Sequence, residues 1–139
     1  MYRLEMSREF NVPLGTLFAA WSRPDVMQRW FAPGEMTVPE CDAEVVVGGE
    51  YRIVMKNAED ELFIVGGKYR EVELNKKLVF TWQWEDSPHC TLVEIDFESV
   101  SDVSSRVLLK HSEFVDQETC DKHEQGWNAC LVNLEKSVA

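Results

Sequence analysis

The chain has 139 residues, 45% hydrophobic and 28% charged, with the charges interspersed; this composition suits one ordinary globular domain and excludes wholesale disorder. Twenty-five acidic against 14 basic residues leave a formal charge of -11, which repels phosphate backbones and anionic headgroups and excludes nucleic acid as an expected partner. No run approaches the roughly 20 apolar residues of a membrane span, and the charged opening MYRLEMSREFNVP lacks the apolar core of a signal peptide, so no membrane insertion and a cytoplasmic location are expected.

Residues 2 to 10 alternate loosely, as a first strand does. Asn11 then offers a helix cap, after which Leu14, Leu17, Phe18 and Trp21 recur at the spacing of one helix face. Ser22-Arg23-Pro24-Asp25 reads as a capping box with proline early in a second helix. Val26, Met27, Trp30 and Phe31 form its apolar side, and Pro33-Gly34 stops it.

From Glu35 to Lys110 the period changes to two. Turn signals at Gly48-Gly49, Asn57 to Asp60, Asn75 to Lys77, Asp86 to Pro88 and Ser101-Asp102 divide this stretch into six consecutive strands. Tyr51, Ile53 and Met55 alternate with Glu50, Arg52 and Lys56; Leu78, Phe80, Trp82 and Trp84 share a face; Thr91, Val93, Ile95 and Phe97 alternate with Glu94, Asp96 and Glu98. Each strand thus has one apolar and one polar face, although the pattern alone leaves open which face of Leu78 to Trp84 turns inward. Gly66-Gly67 predicts a bulge or sharp bend, which would let the sheet curl. Val54 and Val79 fall on the outer face beside charges, consistent with a monomer or a weak dimer.

Asp116 opens the longest helix, with Cys120, His123, Trp127, Cys130, Leu131, Leu134 and Val138 on one face. The whole order is β-α-α followed by six strands and a helix, an α+β domain spanning residues 1–139 with an antiparallel sheet. Cys41, Cys90, Cys120 and Cys130 show neither CxxC nor Cys/His ligand spacing, so no metal is expected. Cys120 and Cys130 share the helix about 15 Å apart, too far for a disulfide. The chain contains no HExxH, GxSxG, GxGxxG or Walker loop, and no cofactor is expected.

Several strings in order carry a resemblance: Arg8-Glu9-Phe10 before Pro13, Ala20-Trp21-Ser22 before Pro24, Trp30-Phe31-Ala32-Pro33, Gly48-Gly49-Glu50-Tyr51, Gly67-Lys68-Tyr69 with Glu71-Val72, Leu78 to Trp82, His111 with Phe114, and Gly126-Trp127. Over nearly its whole length the chain resembles the activators of heat-shock-protein-90 ATPase and their homologues, within the START-like, or SRPBCC, superfamily. The resemblance implies a helix-grip fold, in which a curved antiparallel sheet of about seven strands wraps a long C-terminal helix, with two short helices after the first strand. It also implies a cavity between sheet and helix, which in various relatives holds lipids, sterols, polyketides or plant metabolites.

The inward faces predict the lining of that cavity. From the first two helices come Trp21 and Trp30; from the strands Tyr51, Ile53, Met55, Phe80, Trp82, Val93, Ile95, Leu109 and His111; from the last helix His123, Trp127 and Leu131. The same aromatic residues also suit plain core packing. Gly126 costs about 1 kcal/mol inside a helix relative to alanine, which points either to close approach of the sheet or to room for a ligand. His111 ends an apolar row and can offer a donor or acceptor to a bound molecule, or bond a backbone carbonyl instead. His123, one turn before Trp127, could converge with it, whereas helix starts are often wet. His89, in a turn, is expected in solvent, and Cys90 has no base placed to activate it. Glu94, Asp96 and Glu98 read as surface charge; Glu59 to Glu61 is a charge run that would suit water or a basic partner.

Three functions follow as expectations. The first is binding or carriage of a small hydrophobic molecule. The second is a protein-binding module, as the resemblance to co-chaperones implies; those relatives couple this domain to a further N-terminal one, while this chain begins at the first strand. The third is a cyclase-like or hydrolase-like enzyme using His111 with His123 or Tyr69 as its partner. With so few candidate groups for acid–base work, binding is favoured over catalysis and no catalytic residue is assigned.

Overall fold

A computed structural model describes residues 2–138. The chain runs β1 (Tyr2–Phe10), α1 (Leu14–Ser22), α2 (Pro24–Trp30), β2 (Thr37–Ala43), β3 (Glu50–Lys56), β4 (Leu62–Glu73), β5 (Lys77–Trp84), β6 (Thr91–Ser101), β7 (Ser104–Phe114) and α3 (Gln117–Val138). The seven strands form one antiparallel sheet in the order β1-β7-β6-β5-β4-β3-β2. Six hairpin-like returns would give a simple meander; instead β1 pairs with β7, so the helical excursion between β1 and β2 spans the sheet from one edge to the other. This is the expected helix-grip α+β fold.

The inward face follows the period-two pattern. Leu78, Phe80 and Trp82 of β5 and Val93, Ile95 and Phe97 of β6 are buried in one core with Trp127, Leu131 and Leu134 of α3. The face of β5 that the pattern left open is therefore Leu78, Phe80, Trp82 and the half-buried Trp84. Val54 and Val79 lie on the opposite face, outside that core, yet only 4% of each is exposed. Long neighbours such as Glu40, Glu71 and Glu94, paired across the strands, screen them.

Three local expectations are corrected. Asn11 does not cap α1: the cap is Pro13, directly before Leu14, and its carbonyl accepts from Thr16 and Leu17. Proline needs no donor there, and its fixed φ suits the entry. Ser22 does not open α2; its hydroxyl donates back to the Phe18 carbonyl at 2.9 Å and closes α1, while Arg23 caps α2 through its backbone and Pro24 takes the first turn as expected. The bulge foreseen at Gly66-Gly67 lies further along, between Tyr69 and Glu71. Gly67 has a different reason: a Cβ there would stand 2.0 Å from the Thr81 carbonyl oxygen, so the backbones of β4 and β5 approach only because no side chain intervenes. Asp116 caps α3 as expected, accepting from the Thr119 N–H at 2.7 Å, and this bond holds its carboxyl below the usual range.

A second irregularity shapes the site. The β1–β7 register shifts between Tyr2 and Leu4, opposite the end of β7, where Glu113 adopts φ 72°. This left-handed residue is the mark of a bulge. Because of it, His111 and Phe114, an odd number of positions apart, both turn inward, with ring centroids 4.4 Å apart.

Candidate functional site

The backbone of α3 comes closest to β1, β7, α1 and α2. Towards β3, β4 and β5 it stands off, and a pocket of about 440 Å³ occupies the gap. Its walls are Met55 of β3, Phe63 of β4, Trp82 and Trp84 of β5, Pro33 and Met36 from the segment after α2, and Lys122, His123, Gly126, Trp127 and Cys130 of α3. The helix contributes residues one turn apart, because i and i+4 share a face. A smaller recess of about 170 Å³ adjoins it, also walled by Trp82, Trp84 and His123 and closed by Thr91, Phe114 and Thr119. A larger recess of about 550 Å³ lies on the outer face of the sheet, where Lys110 and Glu94 pair at 2.9 Å.

Two tryptophan–histidine pairs run between sheet and helix. The Trp127 indole N–H donates to Nδ1 of His111 at 3.0 Å. An indole is a donor only, so Nδ1 is unprotonated and the proton sits on Nε2. From there it is shared with the Thr91 hydroxyl at 2.7 Å, and that hydroxyl donates to the Trp82 carbonyl at 3.1 Å. His111 is 0% exposed, and burial, aided by the neighbouring His123 ring, lowers its pKa to about 2. The second pair has the opposite tautomer: Trp84 donates to Nε2 of His123 at 3.0 Å, and Nδ1 of His123 donates to the Thr119 carbonyl at 2.8 Å. Burial lowers this pKa too, while the bond to Thr119 opposes the shift.

Chemically, neither ring keeps a free lone pair. The two imidazoles lie 5.2 Å apart, edge to face, and each is hydrogen-bonded to an indole rather than to the other. The expected convergence of His111 and His123 is thus spatial, without a bond between them. Tyr69 belongs to a separate cluster with Tyr51 and Phe80, where burial keeps both phenols protonated. The pairing of His111 with either residue for acid–base work is not what the geometry provides: its partners are Thr91 and Trp127.

Of the residues singled out in the sequence, Met55, Trp82, His123 and Trp127 line the pocket together. His111 sits one layer behind, reached through Trp127. Trp21 and Trp30 pack edge to face at 4.7 Å beneath the two short helices, and the Trp30 N–H goes to the Ala20 carbonyl at 2.9 Å. Tyr51 and Phe80 join the tyrosine cluster. Ile53, Val93, Ile95, Leu109 and Leu131 fill the core and do not line this pocket.

Pro33, Met36, Phe63, Trp84, Lys122, Gly126 and Cys130 complete the walls, although the cavity lining read from the sequence omitted them. Phe63 was legible: it pairs directly across the hairpin from Met55 and therefore shares its face. Pro33 and Met36 lie outside any regular element and carry no periodic signal. Gly126 is not approached by the sheet, since a Cβ there would find nothing within 4 Å; it opens space in the pocket wall. His89 and Cys90 are exposed, as expected for His89. Among the described residues all four cysteines are free, no cluster of potential metal ligands occurs, and no helix is long and apolar enough to cross a membrane.

The chain matches the sequence model of the family described as Activator of Hsp90 ATPase homolog 1-like protein over residues 11–139. It is similar to an AHSA1 protein from Silicibacter pomeroyi, with 28% identity, a TM-score of 0.88, and coverage of 99% of this chain and 97% of that one. The fold is shared with a protein from Chromobacterium violaceum, at 19% identity, TM-score 0.86 and coverage of 98% and 96%. It is shared too with a protein from Nitrosomonas europaea, at 22% identity, TM-score 0.84 and coverage of 98% and 93%. No curated protein matches the chain.

Proposed function

The chain belongs to the Activator of Hsp90 ATPase homolog 1-like family, and on that premise we propose that it binds a small, largely apolar molecule between the sheet and α3. The observation that carries this reading is the pocket of about 440 Å³ walled by Trp82, Trp84, Trp127, Met36, Met55 and Phe63. That volume lies in the range of small-molecule sites, and aromatic walls with few polar groups are their usual make-up. Two methionines add walls that adapt to shape. Because each histidine holds an indole with one nitrogen and bonds Thr91 or Thr119 with the other, their role in this reading is to fix the walls rather than to transfer protons.

The test is an amide chemical-shift map of labelled protein against fatty acids, sterols, flavonoids and aromatic polyketides. Shifts clustered on Met55, Gly126, Trp127 and Cys130 are the expected result. Shifts scattered over the surface, or none with any class, would remove the reading. The family description favours a second reading, contact with a chaperone whose ATPase it would stimulate; stimulation of that ATPase by the purified chain, undiminished when Gly126 is replaced by leucine, would favour it over the pocket.

A further inference from the structure

The polar inventory of the pocket points in one direction. Among the described residues, Lys122 is the single formally charged side chain on its lining, in a chain whose acidic residues outnumber its basic ones by 25 to 14. No carboxylate joins it there. The imidazole acceptor that reaches the pocket, Nε2 of His123, is already taken by Trp84. What remains are donors. The largely exposed Lys122 side chain carries an ammonium on the lining, and among the described residues the buried indole N–H of Trp82 has no hydrogen-bond partner. The Cys130 thiol stays protonated because burial pushes its pKa up to about 12.

Lys122 does have a neighbour, Glu118, at 3.2 Å one turn earlier on α3. Both side chains are largely exposed, 72% and 80%, so the pair is weak and exchangeable. A ligand anion held against the apolar wall, where water is partly excluded, is a stronger partner for the ammonium than a solvated glutamate.

The body of the ligand is set by the walls. Trp82 stands at 90° to Trp84 and at 46° to Trp127, so three aromatic side chains in different planes wall the gap. Aromatic pairs gain stabilisation beyond the area they bury, which favours a ring over an alkyl chain of equal size.

We infer that the pocket takes an aromatic acid: a planar apolar body between the tryptophans and an anionic carboxylate at Lys122. This rests on the reading that the pocket binds a small molecule, and the experiment separates the two. Titration calorimetry at low salt would compare 2-naphthoate, 2-naphthamide and decanoate on the wild type and on Lys122→Gln and Lys122→Arg. The expected result is about a fivefold preference for naphthoate over naphthamide, corresponding to a partly exposed ion pair. That preference is lost in Lys122→Gln, kept in Lys122→Arg and reduced at high salt. Equal binding of naphthoate and naphthamide, or a preference that survives Lys122→Gln, overturns the assignment of the acid while leaving the pocket reading intact. Tighter binding of decanoate than of naphthoate overturns the planar body. Absence of binding by all three overturns the inference together with the reading beneath it.

Discussion

The indole N–H of Trp127 on α3 donates to Nδ1 of His111 on β7 at 3.0 Å, and both residues are buried. The bond ties the long helix to the sheet through a neutral imidazole, and a neutral imidazole in a buried site is a source of pH dependence. Its folded pKa is depressed to about 2, whereas the unfolded chain takes up a proton near the ordinary value of about 6.5. Between those values the unfolded state binds more protons, so the stability contributed by His111 is fully present above about pH 6.5 and falls as the pH drops below it.

Lowering the pH from about 7 to about 5.5 is expected to cost roughly 1 kcal/mol through His111 alone. Urea unfolding at several pH values measures this, with His111→Gln as the comparison. Its slope in that window should be shallower than that of the wild type; identical slopes would mean that the ring is not held neutral. At pH 7, His111→Ala should lose about 2–4 kcal/mol, combining a cavity with a stranded Trp127 donor.

How much of this was legible beforehand differs by residue. The strands and the last helix announced themselves, because Thr91, Val93, Ile95 and Phe97 alternate and Cys120, Trp127, Leu131 and Leu134 repeat at helical spacing; the structure buries them all. The placement of His111 on an inward face was legible by the same counting. What Trp127 and Thr91 do to it was not, since a hydrogen bond between residues far apart in sequence depends on how α3 lies across the sheet. Nor does periodicity tell a wall from a core: Ile53 and Met55 occupy equivalent positions on β3, but only Met55 reaches the gap. The stand-off of α3 from β3 to β5 decides that, and it is a property of packing rather than of any one segment.

Gly126 separates helix stability from pocket volume. A Cβ there would meet nothing within 4 Å, so Gly126→Ala should stabilise the protein by about 0.5–1 kcal/mol through helix propensity. Gly126→Leu should also fold, because its side chain enters existing space, but should fill part of the pocket. Thermal unfolding reads the first effect, and loss of probe binding with an intact fold reads the second. A lower melting temperature for Gly126→Ala would show that the space is closed in solution.

Glu113 carries a conformational cost at the bulge that turns both His111 and Phe114 inward. With φ at 72°, a non-glycine residue there is strained by about 1 kcal/mol. Glu113→Gly is expected to be neutral to stabilising by up to about 1 kcal/mol, and Glu113→Val destabilising by more than that, since a branched Cβ suits this region worst. Equilibrium unfolding of the two variants checks the pair. A more stable valine variant would mean that the bulge is absent and that β7 continues as a regular strand.

A tryptophan–histidine pair also holds the wall between the two recesses. Trp84 and His123 line both, and the bond from the Trp84 indole to Nε2 of His123 at 3.0 Å holds them together. Protonation of His123 puts a hydrogen on Nε2 and turns an acceptor into a second donor facing the first, so the bond is lost. Burial depresses the pKa of His123, which places this event below the ordinary histidine range rather than at neutral pH. The ring of His111, 5.2 Å away, stays neutral and does not anticipate it. As the pH falls through the depressed value, Trp84 should be released before the fold is lost, joining the two recesses. The Nε1 proton resonance of Trp84 is the direct monitor: it should shift and exchange faster with solvent in a transition below pH 6.5, while that of Trp127 remains protected. In His123→Ala the Trp84 signal should be in its released position at every pH. If the Trp84 and Trp127 signals change together, only when the whole protein unfolds, the bond between Trp84 and His123 is not an independent element of the wall.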